Sequence, residues 1–203
     1  MPQLVFLPGA SGNLDFWTPL IECLPKNIEK KIIGYPGFGA IAEDPQLKGF
    51  DDLQHYVTAQ INTESVVIAQ SMGGIFAIHK ALTDPHLVKG LVLIATSGGV
   101  DLSPFDIQDW RDEYQQHYPR YPAWFMTTTV NYDEHLNKVN IPTLLIWGDT
   151  DPISPITVGT YLNTKLKCST LKIIRNGKHH LAQMHAKEVS IYINQFLETI
   201  SCS

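Results

Sequence analysis

The sequence predicts an α/β architecture, a doubly wound parallel sheet of six strands with helices on its faces. Three observations carry this. Short apolar, β-branched runs alternate with segments of helical spacing six times along the chain, the pattern that winds into a parallel sheet with right-handed crossovers. The residues able to do chemistry fall in Gly- and Pro-rich loops directly after the strands, where such sheets collect function. The 203 residues, 44% of them hydrophobic, suit a single domain spanning 1–203 with a sizeable core.

The elements follow in order. Leu4 to Leu7 is a short buried strand, opening into Pro8-Gly9-Ala10-Ser11-Gly12-Asn13. Leu14 to Leu24 reads as a helix with Phe16, Trp17, Leu20 and Ile21 inward. Lys31 to Gly34 is the second strand and runs into Tyr35-Pro36-Gly37-Phe38-Gly39; Phe50 to Ile61 is helical, with Leu53, Tyr56, Val57 and Ile61 on one face. The third strand begins at Val66, and its helix ends near Asp84-Pro85. Gly90 to Ala95 is the fourth strand, closing at Thr96-Ser97-Gly98-Gly99. From about 100 to 140 the alternation stops and aromatic residues crowd in, which reads as a short helical cap inserted after the fourth strand and lying over the strand ends. Thr143 to Gly148 is the fifth strand, ending in Asp149-Thr150-Asp151-Pro152, and Ser154 to Leu166 is helical. Thr170 to Ile174 is the sixth strand, Asn176 to His180 its terminal loop, and Ala186 to Ile200 an amphipathic helix repeating Val189, Ile193, Phe196, Leu197 and Ile200.

Composition excludes several classes. The net charge of −5 is modest and spread out, with no basic stripe for nucleic acid. No apolar stretch approaches a membrane span, and the Leu4–Leu7 run is too short, and lacks the charged flank, for a signal segment. Cys23, Cys168 and Cys202 have neither metal nor CxxC spacing and read as thiols of a reducing compartment. The expectation is a cytoplasmic protein, with no metal and no organic cofactor implied.

The most informative stretch is Val66 to Ala77. An apolar strand crosses Ala69-Gln70-Ser71-Met72-Gly73 and enters a helix. A small-x-Ser-x-Gly pentapeptide between strand and helix is a nucleophile elbow. The turn is tight enough that Ala69 and Gly73 must be small, so the serine projects alone over a helix N-terminus with free N–H groups and a positive dipole end. The plainer alternative is that Ser71 is a helix N-cap, a position serine favours. A serine hydroxyl needs a base, and the base needs a partner that fixes its tautomer. Ser71, then an aspartate at 149 or 151, then a histidine at 179 or 180 is the chain order expected on this kind of sheet.

With these segments in hand, the chain resembles the α/β-hydrolase superfamily. The segments that carry the likeness are Leu7-Pro8-Gly9-Ala10 with Trp17, Tyr35-Pro36-Gly37-Phe38-Gly39, Gln70-Ser71-Met72-Gly73-Gly74, Ile141 to Pro152, and Gly177-Lys178-His179-His180. The order and spacing of these segments are more specific than any one of them. The sequence begins at what is usually the third strand, has Ala69 where the family has glycine, and has Pro8-Gly9 where His-Gly is usual. The motif set is also similar to the biotin-pathway pimeloyl-carrier-protein methyl esterases.

The resemblance implies a serine hydrolase acting on a carboxylic ester or thioester, a small-molecule substrate or a carrier-bound acyl group. It implies Asp151 as the acid, with Asp149 a turn-capping carboxylate, and His179 as the base, with His180 the alternative. The oxyanion donors it implies are the N–H groups of Ala10 and of Met72, the latter free at the helix start. The cap aromatics Trp110, Tyr118, Trp124 and Phe125 are expected to line an apolar acyl pocket, or else to pack the cap onto the core. Ser71 argues against the dehalogenase and epoxide hydrolase branches, which use an aspartate nucleophile. A lyase or acyltransferase on the same triad, or a silent binding protein of the same fold, are the alternatives.

Overall fold

The apolar runs of the four inner strands form a sheet because side chains on both faces meet a hydrophobic layer; the two edge strands are only partly buried. The computed structural model describes residues 2–201. The strands are β1 (Gln3–Leu7), β2 (Lys30–Ile32), β3 (Ser65–Gln70), β4 (Val88–Ile94), β5 (Thr143–Gly148) and β6 (Ser169–Ile174). All neighbouring pairs are parallel, in the order β2-β1-β3-β4-β5-β6.

Period-two alternation sorts the side chains into two cores. Val5, Leu7, Val67, Ala69, Leu91, Leu93, Leu145 and Trp147 face α2 (Phe50–Ala59), α3 (Met72–Thr83) and α6 (Ile156–Lys165), meeting Leu53, Val57, Phe76 and Leu162. Leu4, Phe6, Val66, Ile68, Val92, Ile94, Leu144 and Ile146 face the other side, where α1 (Thr18–Glu22), α7 (Leu181–Met184) and α8 (Ala186–Ser201) supply Leu20, Leu181, Val189 and Ile193. The result is three layers, helix–sheet–helix. Trp17 is buried in the α8-side core and Trp147 in the α3-side core.

The structure departs from the sequence reading in three places. The first helix, expected over 14–24, is a 3₁₀ turn (Leu14–Trp17) followed by the five-residue α1. Asn13 caps Asp15 N–H, and Pro19, which has no N–H to donate, sits in the first turn of α1. Phe16, Trp17 and Leu20 are buried as expected, and Ile21 is half-buried against the same core. On α2, Tyr56 is exposed; the buried stripe runs through Phe50, Leu53, Gln54, Val57 and Thr58. The cap between β4 and β5 holds only two short helices, α4 (Arg111–His117) and α5 (Trp124–Thr127), plus a 3₁₀ turn at Leu136–Lys138. Rings rather than helices organise it: Tyr118 stacks on Tyr121 at 4.6 Å, Tyr114 lies 5.0 Å from Tyr118, and Trp110 and Phe125 sit 5.4 Å apart. Cys23 and Cys168 are free thiols; Cys202 lies outside the described residues. Among the described residues, no helix is long and apolar enough to cross a membrane.

Candidate active site

Ser71 sits between the end of β3 and the start of α3 at φ 51°, ψ −121°. A non-glycine residue there is strained by a few kcal/mol at most, about 1–3, and its neighbours hold it in place. Ser71 N–H donates to Ile94 O at 3.1 Å, and Thr96 Oγ1 donates to Ser71 O at 2.5 Å. Gly73 lies against the Leu7 and Pro8 carbonyls, where a Cβ would have no room. Gly74 lies equally close to the Thr96 side chain. These contacts explain why the pentapeptide needs glycine after the serine.

The acid and base arrive on loops whose backbones meet at a pair of glycines. Gly148 at the end of β5 packs on Gly177 after β6, each leaving no space for a side chain on the other. Thr150 N–H and Oγ1 both donate to Gly177 O, at 3.1 and 2.9 Å. Asp149 Oδ1 accepts Asn176 N–H at 2.6 Å, which serves the left-handed turn at Asn176, φ 57°. Asp149 is thus engaged in the turn, as its plainer sequence reading has it. Asp151, with no exposed side-chain surface, accepts Ile153 and Ser154 N–H on Oδ1 at 2.9 and 3.0 Å. Its Oδ2 stands 2.9 Å from His179 Nδ1. His179 Nε2 is 3.1 Å from Ser71 Oγ.

The pattern fixes the tautomer. An ionised carboxylate only accepts, so Nδ1–H donates to Asp151, leaving Nε2 to accept the Ser71 hydroxyl proton. His180 turns away from this relay and packs 6.1 Å from the Phe16 ring. Burial, with His179 adding to it, lowers its pKa, so it stays neutral near pH 7.

A cavity of about 760 Å³ opens over Ser71 and His179. Gly9, Ala10 and Met72 line it beside the serine. Neither Ala10 nor Met72 N–H has a protein acceptor among the described residues. Of the four aromatic residues expected there, Trp110, Tyr118 and Phe125 line the cavity. Trp124 does not; it packs against Phe38 and Phe50 and borders a smaller depression near Pro36 and Glu43. Among the described residues, no three His, Cys, Asp or Glu side chains are grouped as metal ligands.

Sequence reasoning missed Gln70. Its Nε2 donates to His179 O at 3.2 Å, tying the loop after β6 to the residue before Ser71. The signal was available: an amide at the end of a buried apolar strand needs a partner. It also missed the polar ends of Tyr35, Tyr114 and Tyr121, since aromatic crowding reads first as packing.

Residues 2–131 match the family model described as alpha/beta hydrolase fold. The chain belongs to that family. A pimeloyl-[acyl-carrier protein] methyl ester esterase of Neisseria meningitidis is 22% identical over 245 residues, covering 98% of this chain and 94% of the relative. A protein of the same name from Pseudoalteromonas atlantica is 36% identical over 100 residues, 47% of this chain and 38% of its own. Two solved structures share the fold. A bacterial membrane phospholipase A has TM-score 0.80 at 21% identity, covering 100% of this chain and 80% of its own. A thermophilic esterase from Thermogutta terrifontis has TM-score 0.80 at 15% identity, covering 98% and 90%. Within that family, the serine–histidine–aspartate arrangement here is the one a serine hydrolase mechanism requires.

Proposed function

We propose that the protein hydrolyses a carboxylic ester or thioester through an acyl-enzyme, with Ser71 as nucleophile, His179 as base and Asp151 as its orienting acid. The observation that carries this reading is the relay itself, Ser71 Oγ to His179 Nε2 at 3.1 Å and His179 Nδ1 to Asp151 Oδ2 at 2.9 Å. Ser71 Oγ bonds to the acyl carbon as its proton passes to Nε2. The carbonyl oxygen becomes an oxyanion facing the N–H groups of Ala10 and Met72. The bond to the leaving oxygen or sulfur then breaks, and Nε2 returns the proton to it. Water attacks the acyl-enzyme by the same route, giving the carboxylic acid and restoring Ser71. Asp151 stays ionised throughout and stabilises the imidazolium.

The cavity supports a small to medium acyl group. Its walls include Phe50, Ile75, Val100, Phe105, Trp110 and Phe125, apolar surface that rewards burial of methylenes, alongside the charged side chains of Asp101, Arg111 and Glu113. The names of the relatives make a carrier-bound acyl ester the first substrate to try beyond simple esters. Free Cys23 and Cys168 support the reading of a reducing, cytoplasmic compartment.

The test is a p-nitrophenyl ester series from acetate to decanoate, run on wild type and Ser71→Ala. The expected result is turnover with a chain-length optimum in wild type only, and fluorophosphonate labelling that Ser71→Ala abolishes. Wild type that neither turns over any ester nor takes the label would sink the hydrolase reading and favour a binding protein of the same fold.

A further inference from the structure

The loop after β1 carries four successive carbonyls, and each has a donor. Pro8 O accepts from Tyr35 OH at 2.8 Å and Gly9 O from Gly12 N–H at 3.0 Å. Ala10 O accepts from Tyr114 OH at 2.8 Å and Ser11 O from Tyr121 OH at 3.0 Å. The Tyr121 oxygen also accepts Gly39 N–H at 2.8 Å. One of the four donors belongs to the core, one to the loop itself and two to the cap. The cap donors lie 104 and 110 residues from the carbonyls they hold.

This occupancy has a directional consequence. In a trans peptide the C=O and N–H point opposite ways, so holding a carbonyl also aims its amide. The Ala10 N–H belongs to the Gly9–Ala10 peptide. Tyr35 fixes the peptide before it, Gly12 fixes that peptide itself, and Tyr114 and Tyr121 fix the two after it. A carbonyl rotated toward Ser71 would set a negative dipole end where an oxyanion forms. A phenol bonded to such a carbonyl opposes that rotation.

We propose that Tyr114 and Tyr121 are positioning residues of the oxyanion loop, so that the cap helps to stabilise charge as well as covering the acyl group. The inference rests on the hydrolase reading above, which assigns Ala10 N–H to the oxyanion. Burial raises the pKa of Tyr114, so it remains a protonated donor at every working pH. The rings are held independently of their oxygens: Tyr114 lies 5.4 Å from Phe125, and Tyr121 5.4 Å from Phe38. Tyrosine-to-phenylalanine changes therefore remove the hydrogen bonds and leave the packing.

The experiment compares Tyr114→Phe, Tyr121→Phe and the double variant with Tyr132→Phe. Tyr132 OH donates to Gln54 Oε1 at 2.8 Å, a cap-to-core bond of the same kind that touches neither the loop nor the cavity. Removing an oxyanion donor outright costs about 10²–10³ in kcat, so loosening one is expected to cost about tenfold per single variant and about a hundredfold in the double, with KM within about twofold. Tyr132→Phe is expected to hold kcat within about twofold. Backbone amide exchange over residues 8–13 rises in the double variant and not in Tyr132→Phe. A double variant with wild-type kcat, an equal loss in Tyr132→Phe, or unchanged exchange overturns the proposal. Wild type that is itself inert to esters and fluorophosphonate overturns the hydrolase reading instead, and the exchange measurement then decides alone whether the phenols hold the loop.

Discussion

Asp151→Asn exchanges a single buried oxygen for an amino group, and its effect follows from the geometry around it. The oxygen that accepts Ile153 and Ser154 N–H survives as the amide oxygen, so the local turn keeps both bonds. The atom 2.9 Å from His179 Nδ1 becomes a donor. It is satisfied only if Nδ1 accepts, which moves the ring proton to Nε2, facing Ser71 Oγ at 3.1 Å. In that tautomer the imidazole has no lone pair for the serine proton. The same exchange in a serine-protease triad lowers kcat about 10⁴-fold, or about 5.4 kcal/mol of activation free energy. The expectation here is a fall of about 10⁴ in kcat/KM, a parallel fall in the rate of fluorophosphonate labelling, and a stability change within about 1 kcal/mol. Asp149→Asn is the matched comparison. Its amide oxygen still accepts Asn176 N–H, so activity should stay within about tenfold. Ester hydrolysis and urea unfolding on both variants decide the matter. Asp151→Asn retaining wild-type activity, or Asp149→Asn losing as much, would refute the assignment of the acid.

Three further outcomes follow from the same structure. His179→Ala should abolish ester turnover, while His180→Ala, which leaves all three relay residues in place, keeps it measurable; the reverse pattern in a p-nitrophenyl ester assay would reassign the base. Gly148→Ala drives a Cβ into Gly177 backbone and should cost about 2 kcal/mol of stability and about a hundredfold in kcat by parting the acid and base loops; an active variant of wild-type urea midpoint would contradict this. His79, whose Nδ1 is 3.1 Å from Gln54 Nε2, has its pKa lowered from 6.5 by burial, with His55 adding to the effect and Asp51 opposing it. The unfolded chain therefore takes the proton first, so this contribution to stability is complete above about pH 6.5 and lost as pH falls through the lowered folded value. His79→Gln should flatten the fall in urea midpoint between pH 7 and pH 5; an identical fall in both proteins removes His79 from the account.

The four inner strands were legible because each is a mainly apolar run with a core on both faces; the edge strands β2 and β6, which carry lysines and partly exposed positions, were legible from their place in the alternation. Their order across the sheet is not a local property, yet right-handed crossovers restrict it strongly. Ser71, Asp151 and His179 were legible as candidates by their place after strands. Two adjacent histidines, however, differ only in where a tight loop aims them, and that depends on the packing of Gly148 against Gly177, 29 residues apart. The cap was legible only as composition. Pro104, Pro119 and Pro122 interrupt helices there, and the ring contacts that replace them link residues with no shared period. Trp124 shows the limit: an aromatic residue in a cap has no sequence mark that says which side of it faces the cavity. The same holds for Tyr114 and Tyr121, whose partners lie at the other end of the chain.

The four tryptophans divide evenly between the core and the cap, and this gives the protein a built-in optical reporter. Trp17 and Trp147 are fully buried against the strands, where their emission responds to global unfolding. Trp110 lines the cavity with the Arg111 guanidinium 5.2 Å from its ring centre, and Trp124 sits outside it against Phe38 and Phe50. With Trp17 and Trp147 replaced by phenylalanine, the remaining fluorescence would come from the cap alone. Acyl-chain entry beside Trp110 would then be readable without attaching a dye.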